Sequence, residues 1–244
     1  MSGNTPSGWI EAAGCVTAIG ALSLLYAIGH RLGAHPIAFI LHAMLVSAIA
    51  TLVGVGIGTQ AVAIVRHPMS WVVGLGMILL EILYFQTLTY VPPAHGNVML
   101  RIGIPVSMVA GWLMLRRPTP PLAVVGAVVI VGAIVLLVGV TSPDVRWPMA
   151  IAGTLAAVFM VVRGFAAEFH PWNRSASTVQ DKLRVTGLVL LVTSILSLAL
   201  ASAAAAAMAL DVLPPSRLVP TAVQLLHLPT FLLEHSAALG DKPA

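Results

Sequence analysis

After its first proline, the stretch from Pro121 to Val140 consists only of Val, Ile, Leu, Ala and Gly, with no charged or amide side chain. Coiled as a helix, such a run matches the ~30 Å hydrocarbon core of a bilayer. In hydrocarbon the backbone has to satisfy its own N–H and C=O groups, which leaves the helix as the available form for a single continuous run. Comparable runs recur along the whole chain. Hydrophobic residues make up 59% and charged residues 8% of the sequence, against ~25% charged in an ordinary soluble domain. The expected fold is all-α: a polytopic membrane protein of about seven transmembrane helices with a C-terminal interfacial helix.

The spans read as Ala12 to Ile28, Pro36 to Ile57, Met69 to Thr89, Asn97 to Leu115, Pro121 to Val140, Trp147 to Val162 and Val185 to Leu210. The stretch from Leu218 to Leu239 is interrupted by Pro220, His227, Pro229, Glu234 and His235 and reads as a surface-lying amphipathic segment. Ala203 to Ala207 and the glycines Gly126 and Gly132 read as small-residue helix contacts. Gly54, Gly56 and Gly58 admit two readings, a substrate feature or close helix packing.

The net charge is +4, but the basic residues fall between apolar runs instead of forming a patch, so nucleic acid is not an expected partner. Arg66, Arg116, Arg117, Arg163, Arg174, Lys182 and Arg184 fall on one side of the membrane, and Arg31, Arg146 and Arg217 on the other. This asymmetry predicts a cytoplasmic amino terminus. Ala12-Ala13-Gly14-Cys15 superficially resembles a lipoprotein cleavage box, but the apolar run follows the cysteine, so the first span is expected to stay as an anchor. Cys15 is the lone cysteine, which excludes an intrachain disulfide.

Two formal charges lie inside the hairpin from Gly74 to Arg117. Glu81 and Arg101 stand at equal sequence distance from Val91, where the Val91-Pro92-Pro93 turn begins. In two antiparallel helices both reach on the order of 12 Å below the turn. A lone charge at that depth is costly, so a Glu81–Arg101 pair or a water-filled cavity is expected. A static pair that sets the hairpin register is the structural alternative. Tyr84, Gln86 and Asn97 are candidate polar lining, and Pro105 predicts a kink in the fourth span. His42 reads either as a substrate contact or as a neutral histidine bonded to a neighbouring helix. There is no phosphate loop, nucleophile elbow or helical histidine pair at metal spacing, so no enzyme activity, metal or cofactor is expected.

The run Trp71 to Val138 resembles the drug/metabolite transporter superfamily, in particular its EamA-type members. The resemblance rests on Phe85-Gln86-Thr87-Leu88, Pro105, Ala110-Gly111-Trp112-Leu113, Arg117-Pro118, Gly126 and Gly132, in order across three helices. Arg116 stands where that family usually has a glutamate, and the first span lacks the usual Trp-Gly-Ser-like start. The resemblance implies inverted five-helix repeats: a first repeat over residues 1–141 and an incomplete second over 142–244, with Gly153 and Arg163 near its start. It further implies alternating-access transport of a small organic solute across a bacterial inner membrane. Glu81, Arg101, Tyr84, Gln86, Asn97 and His42 would then contact the solute. Helices missing from the second repeat would come from a second copy or a hetero-complex. The rival expectation is a non-transporting scaffold or assembly subunit.

Overall fold

The structure is a computed structural model that describes residues 34–214 and 220–226, together with scattered helical positions between 13 and 29. The described chain is helical without strands. The long helices are α1 (Pro36–Val55), α3 (Pro68–Leu88), α6 (Pro121–Val140), α7 (Pro143–Phe169) and α9 (Val179–Ala209). Shorter ones are α2 (Ala61–Arg66), α4 (Pro93–Leu100), α5 (Gly103–Leu115), α8 (Pro171–Ser175) and α10 (Ala222–Leu226). With α4 and α5 taken as one crossing, 6 segments among the described residues are long and apolar enough to span a bilayer. The chain is an all-α, multi-pass membrane protein. The expected first span falls on the scattered positions, and the stretch beyond 226 lies outside the described residues.

Proline opens α1, α3, α4, α6, α7 and α8, where its fixed φ suits the first turn and its missing N–H would have no partner anyway. His67 Nδ1 caps α3 by accepting from the Met69 N–H at 3.2 Å. Thr178 Oγ1 caps α9 by accepting from the Asp181 N–H at 3.1 Å and donates back to Asp181 Oδ2 at 2.7 Å. That reciprocal cap explains why α9 starts before Val185: its polar first turns are stabilised locally and project beyond the apolar stretch. Likewise α7 begins at Pro143 and carries Pro148 within its helix. The proline costs one backbone bond near the helix end, while Asp144 in the first turn suits the helix dipole.

Two antiparallel pairings organise the bundle, α3 with α7 and α1 with α9. In the first, Ser70 meets His170 and Gly76 meets Arg163. In the second, Gly187 meets Thr51 and Leu52, and Ala38 clusters with Ala205. The core of α1, α3 and α7 centres on Ile40, Leu41, Tyr84, Phe85 and Ala156. Ala205 is buried in a separate cluster with Ala38 and Leu225 of α10, so part of the expected interfacial stretch packs onto the bundle.

The glycines that let helices approach are Gly74 against Thr193, Gly153 against Met99, Gly103 against Ala157 and Met160, and Gly187 against Leu52. Gly126 and Gly132 face open space, contrary to expectation. They lie on α6, whose most apolar window is only 6% buried within the protein. Gly54 also faces open space. Gly56 and Gly58 follow the end of α1 with φ of 77° and 73°. Gly56 has open space beside it, whereas at Gly58 a β-carbon would come 2.8 Å from Arg184 Cδ of α9, so that glycine is also a close contact. Their positive φ is the reason glycine is needed there.

The fourth span is not one kinked helix. It is interrupted at Arg101-Ile102 between α4 and α5. Pro105 has no N–H to offer the Arg101 carbonyl and its ring crowds that oxygen. The carbonyl accepts instead from the Ile104 N–H at 2.9 Å, three residues on, in a tighter turn before the helix resumes at Gly103.

Candidate functional site

Glu81 lies on α3, with 7% of its surface exposed. The cation that α7 brings toward it is Arg163, which is half-buried and within electrostatic reach of the carboxylate. Arg163 gets there by crossing the glycine notch at Gly76, where a β-carbon would stand 3.0 Å from Arg163 Cβ. Its Nη1 donates to Met77 Sδ at 2.6 Å, one helical turn from Glu81 on the same face of α3.

Arg101 is not the partner expected from the hairpin. It is exposed at the α4–α5 break and makes no ion pair among the described residues. Equal distance from the turn sets depth but not direction around the helix axis. The buried flank of α3 is packed chiefly against α7, and Arg101 lies at the break on an exposed position. Along α4 and α5, Met99 packs on Gly153 and Gly103 on Ala157. The break between them therefore sits at a depth near that of Glu81.

The structure joins Tyr84 and Asn97, with Tyr84 Oη donating to Asn97 Oδ1 at 3.1 Å. Gly96 makes room for this, since a β-carbon there would come 3.3 Å from the Tyr84 ring. Gln86 is turned away from Glu81 and donates through Nε2 to Tyr90 Oη at 2.9 Å. His42 is half-buried on α1 and bonds through Nδ1 to the Ala38 carbonyl at 2.8 Å. That bond is within its own helix and not to a neighbour, so the ring carries its proton on Nδ1.

Sequence reading missed three members of this arrangement. Arg163 looked like a loop residue after a span ending at Val162, although the apolar Phe165-Ala166-Ala167 beyond it signals that the helix continues. Ser70 and His170 lie too far apart in sequence to suggest contact. Ser70 Oγ donates to the Ile64 carbonyl and sits 2.8 Å from His170 Nε2. Its one proton is committed, so His170 must donate, and the ring is neutral with hydrogen on Nε2. His170 is fully buried, and its Nδ1 has no hydrogen-bond partner among the described residues. Its ring is 5.2 Å from His67 and 5.8 Å from Trp172. Burial, and secondarily the neighbouring His67, holds its pKa below the ordinary histidine value.

These contacts form a polar line on one face of α3. Ser70 with His170 lies at one end, Glu81 with Arg163 in the middle, and Tyr84 with Asn97 beyond. Residues 70, 77, 81 and 84 share that face because their spacings are close to whole helical turns. The His170 end is also the basic end. There Arg117 pairs with Glu168 at 2.5 Å, and Arg184 pairs with Asp181 at 3.0 Å. Arg184 also donates to the carbonyls of Val55 and Gly56. Among the described residues, no group of three or more His, Cys, Asp or Glu side chains converges as a metal site would need.

Comparison of the chain with protein families, curated proteins and solved structures finds no match.

Proposed function

We propose that the chain is a carrier for a small organic solute, working by alternating access in the manner implied by the EamA-like stretch from Trp71 to Val138. One observation carries the reading: the polar line through α3, with Glu81 buried in its middle beside Arg163. A carboxylate buried within a span is costly and is retained where a solute or proton uses it. In this reading Arg163 replaces Arg101 as the counter-charge. A solute carboxylate and Glu81 compete for the guanidinium, and protonation of Glu81 frees Arg163 for the solute. Tyr84 and Asn97 supply neutral hydrogen-bonding groups beside it. Arg101, at a helix break near the same depth, is an anion contact of the kind that discontinuous helices provide. The membrane is the bacterial inner membrane, with the amino terminus and the basic end in the cytoplasm.

The test is solute uptake into proteoliposomes from a mixed pool of amino acids and organic acids, with and without a proton gradient. Wild-type protein takes up a carboxylate-bearing solute and Glu81→Gln does not. Vesicles that take up nothing above empty controls, with correctly folded protein inside, overturn the carrier reading. A second reading, an assembly subunit of a larger membrane complex, is supported by the exposure of Arg101 at mid-span, which a partner's carboxylate would satisfy. A stoichiometric partner co-purifying with inactive protein favours it.

A further inference from the structure

A cleft of about 610 Å³ lies between α5, the loop starting at Arg117, and α7. It is distinct from the polar line, because neither Glu81 nor Arg163 lines it. Its inner end is at Gly103 and Met160, beside the helix break, and its outer end is at Arg117 and Glu168. From Gly103 to Gly111 along α5, and from Met160 to Glu168 along α7, the length is about 12 Å at the helical rise. Half of a ~30 Å hydrocarbon core is about 15 Å, so the cleft is about one leaflet deep.

Its walls are largely apolar, and two glycines keep them flat. At Gly111 and at Gly164 nothing lies within 4 Å of where a β-carbon would stand. Water is a poor occupant of such a space because it finds few hydrogen-bond partners. The mouth is different in kind. Arg117 and Glu168 are 57% and 47% exposed while bonded through Nη2 and Oε1. Arg117 keeps further N–H donors and Glu168 a second oxygen, so a positive and a negative group stand side by side at headgroup level.

We propose that this cleft binds a zwitterionic phospholipid, with one acyl chain along Gly103, Gly111 and Gly164, the phosphate on Arg117 and the ammonium on Glu168. The apolar length, the open glycine wall and the paired charges at the rim complement such a molecule. The site is a lipid site in its own right and does not depend on the carrier reading.

The experiment uses the full chain in vesicles of phosphatidylethanolamine and phosphatidylglycerol. A trace of either lipid carries a photoactivatable diazirine in its acyl chain, and the labelled peptides are mapped by mass spectrometry. Labelled phosphatidylethanolamine should mark residues 103–111 and 160–168. Gly164→Leu and Gly111→Leu fill the cleft without meeting protein atoms. Each should lower that labelling about tenfold, the equivalent of roughly two displaced methylenes. Gly126→Leu, which also enters open space on α6, should leave it unchanged. Glu168→Gln, which removes the charge proposed to meet the ammonium, should abolish the preference for phosphatidylethanolamine, whereas Arg117→Ala should lower labelling by both lipids. Equal labelling of wild-type and both cleft-filled proteins overturns the proposal. So does equal labelling by the two lipids, or a protein–protein crosslink showing that a second copy fills the cleft.

Discussion

The Arg163 guanidinium rests on the thioether of Met77, 2.6 Å from its sulfur, one turn along α3 from the Glu81 carboxylate. The arginine is thus brought within electrostatic reach of the carboxylate across the α3–α7 interface, the most extensive among the described residues. Its route is open because residue 76 is glycine.

Removing one of the two charges should be worse than removing both. Arg163→Ala strands the Glu81 carboxylate in an apolar interface at a cost of about 3–5 kcal/mol. The double variant Arg163→Met, Glu81→Gln should recover much of that loss. Arg101→Gln, by contrast, should change stability little. Denaturant unfolding in detergent micelles measures all of these, and single effects that simply add would show that the two residues are independent.

The helix contacts distinguish glycines that look alike in sequence. Gly153→Val puts its branch onto Met99, where a bare β-carbon already comes within 2.9 Å of Met99 Cβ, and should cost about 1–3 kcal/mol through overpacking. Gly132→Val, on the open surface of α6, should be close to neutral. Melting temperatures of the two purified variants decide the matter, and equal losses would contradict the packing described here.

Acid should loosen the basic end of the bundle. His170 is buried neutral with its pKa below the usual histidine value, owing first to burial and then to His67. The unfolded chain therefore binds this proton more readily, beginning near the ordinary value of about 6.5. The stability of the folded form is complete above that pH, falls as the pH drops below it, and levels off once the folded pKa is passed. His170→Gln should flatten this dependence between about pH 7 and pH 5. Ser70→Ala leaves the His170 N–H without its acceptor and should cost about 1–3 kcal/mol at neutral pH. Unfolding followed by circular dichroism reads both effects, and a wild-type curve unaffected by acid would count against this account.

The ends of the bundle differ in charge. The loops carrying Arg66, Arg116, Arg117, Arg174 and the start of α9 with Lys182 and Arg184 gather at one end, joined by the Arg117–Glu168, Arg184–Gly56 and Ser70–His170 contacts. A basic end of this kind is retained on the cytoplasmic side. In a Cys15→Ser background, a cysteine at position 95 should react with a membrane-impermeant reagent added outside intact cells, and one at position 117 should not. The reverse pattern would invert the proposed orientation.

Local chemistry accounts for what could be read from the chain alone. Apolar runs of bilayer length force helices, because backbone groups have no other partners in lipid, and Pro121 to Val140 appears in the structure with the boundaries its composition implies. Pro105 marked a disturbance of the fourth span for an equally local reason. Depth, too, is a property of sequence distance, and Glu81 is indeed buried. Direction around a helix axis is not local. It depends on which helix packs against which face, and that is settled by distant notches such as Gly76, Gly103 and Gly153. Those notches brought Arg163 to Glu81 and turned the role of partner away from Arg101. They also joined Ser70 to His170, a pair separated by four intervening helices. A charge inside an apolar run announces that it needs a partner, because stranding it is costly. Which residue answers is decided only when the helices pack.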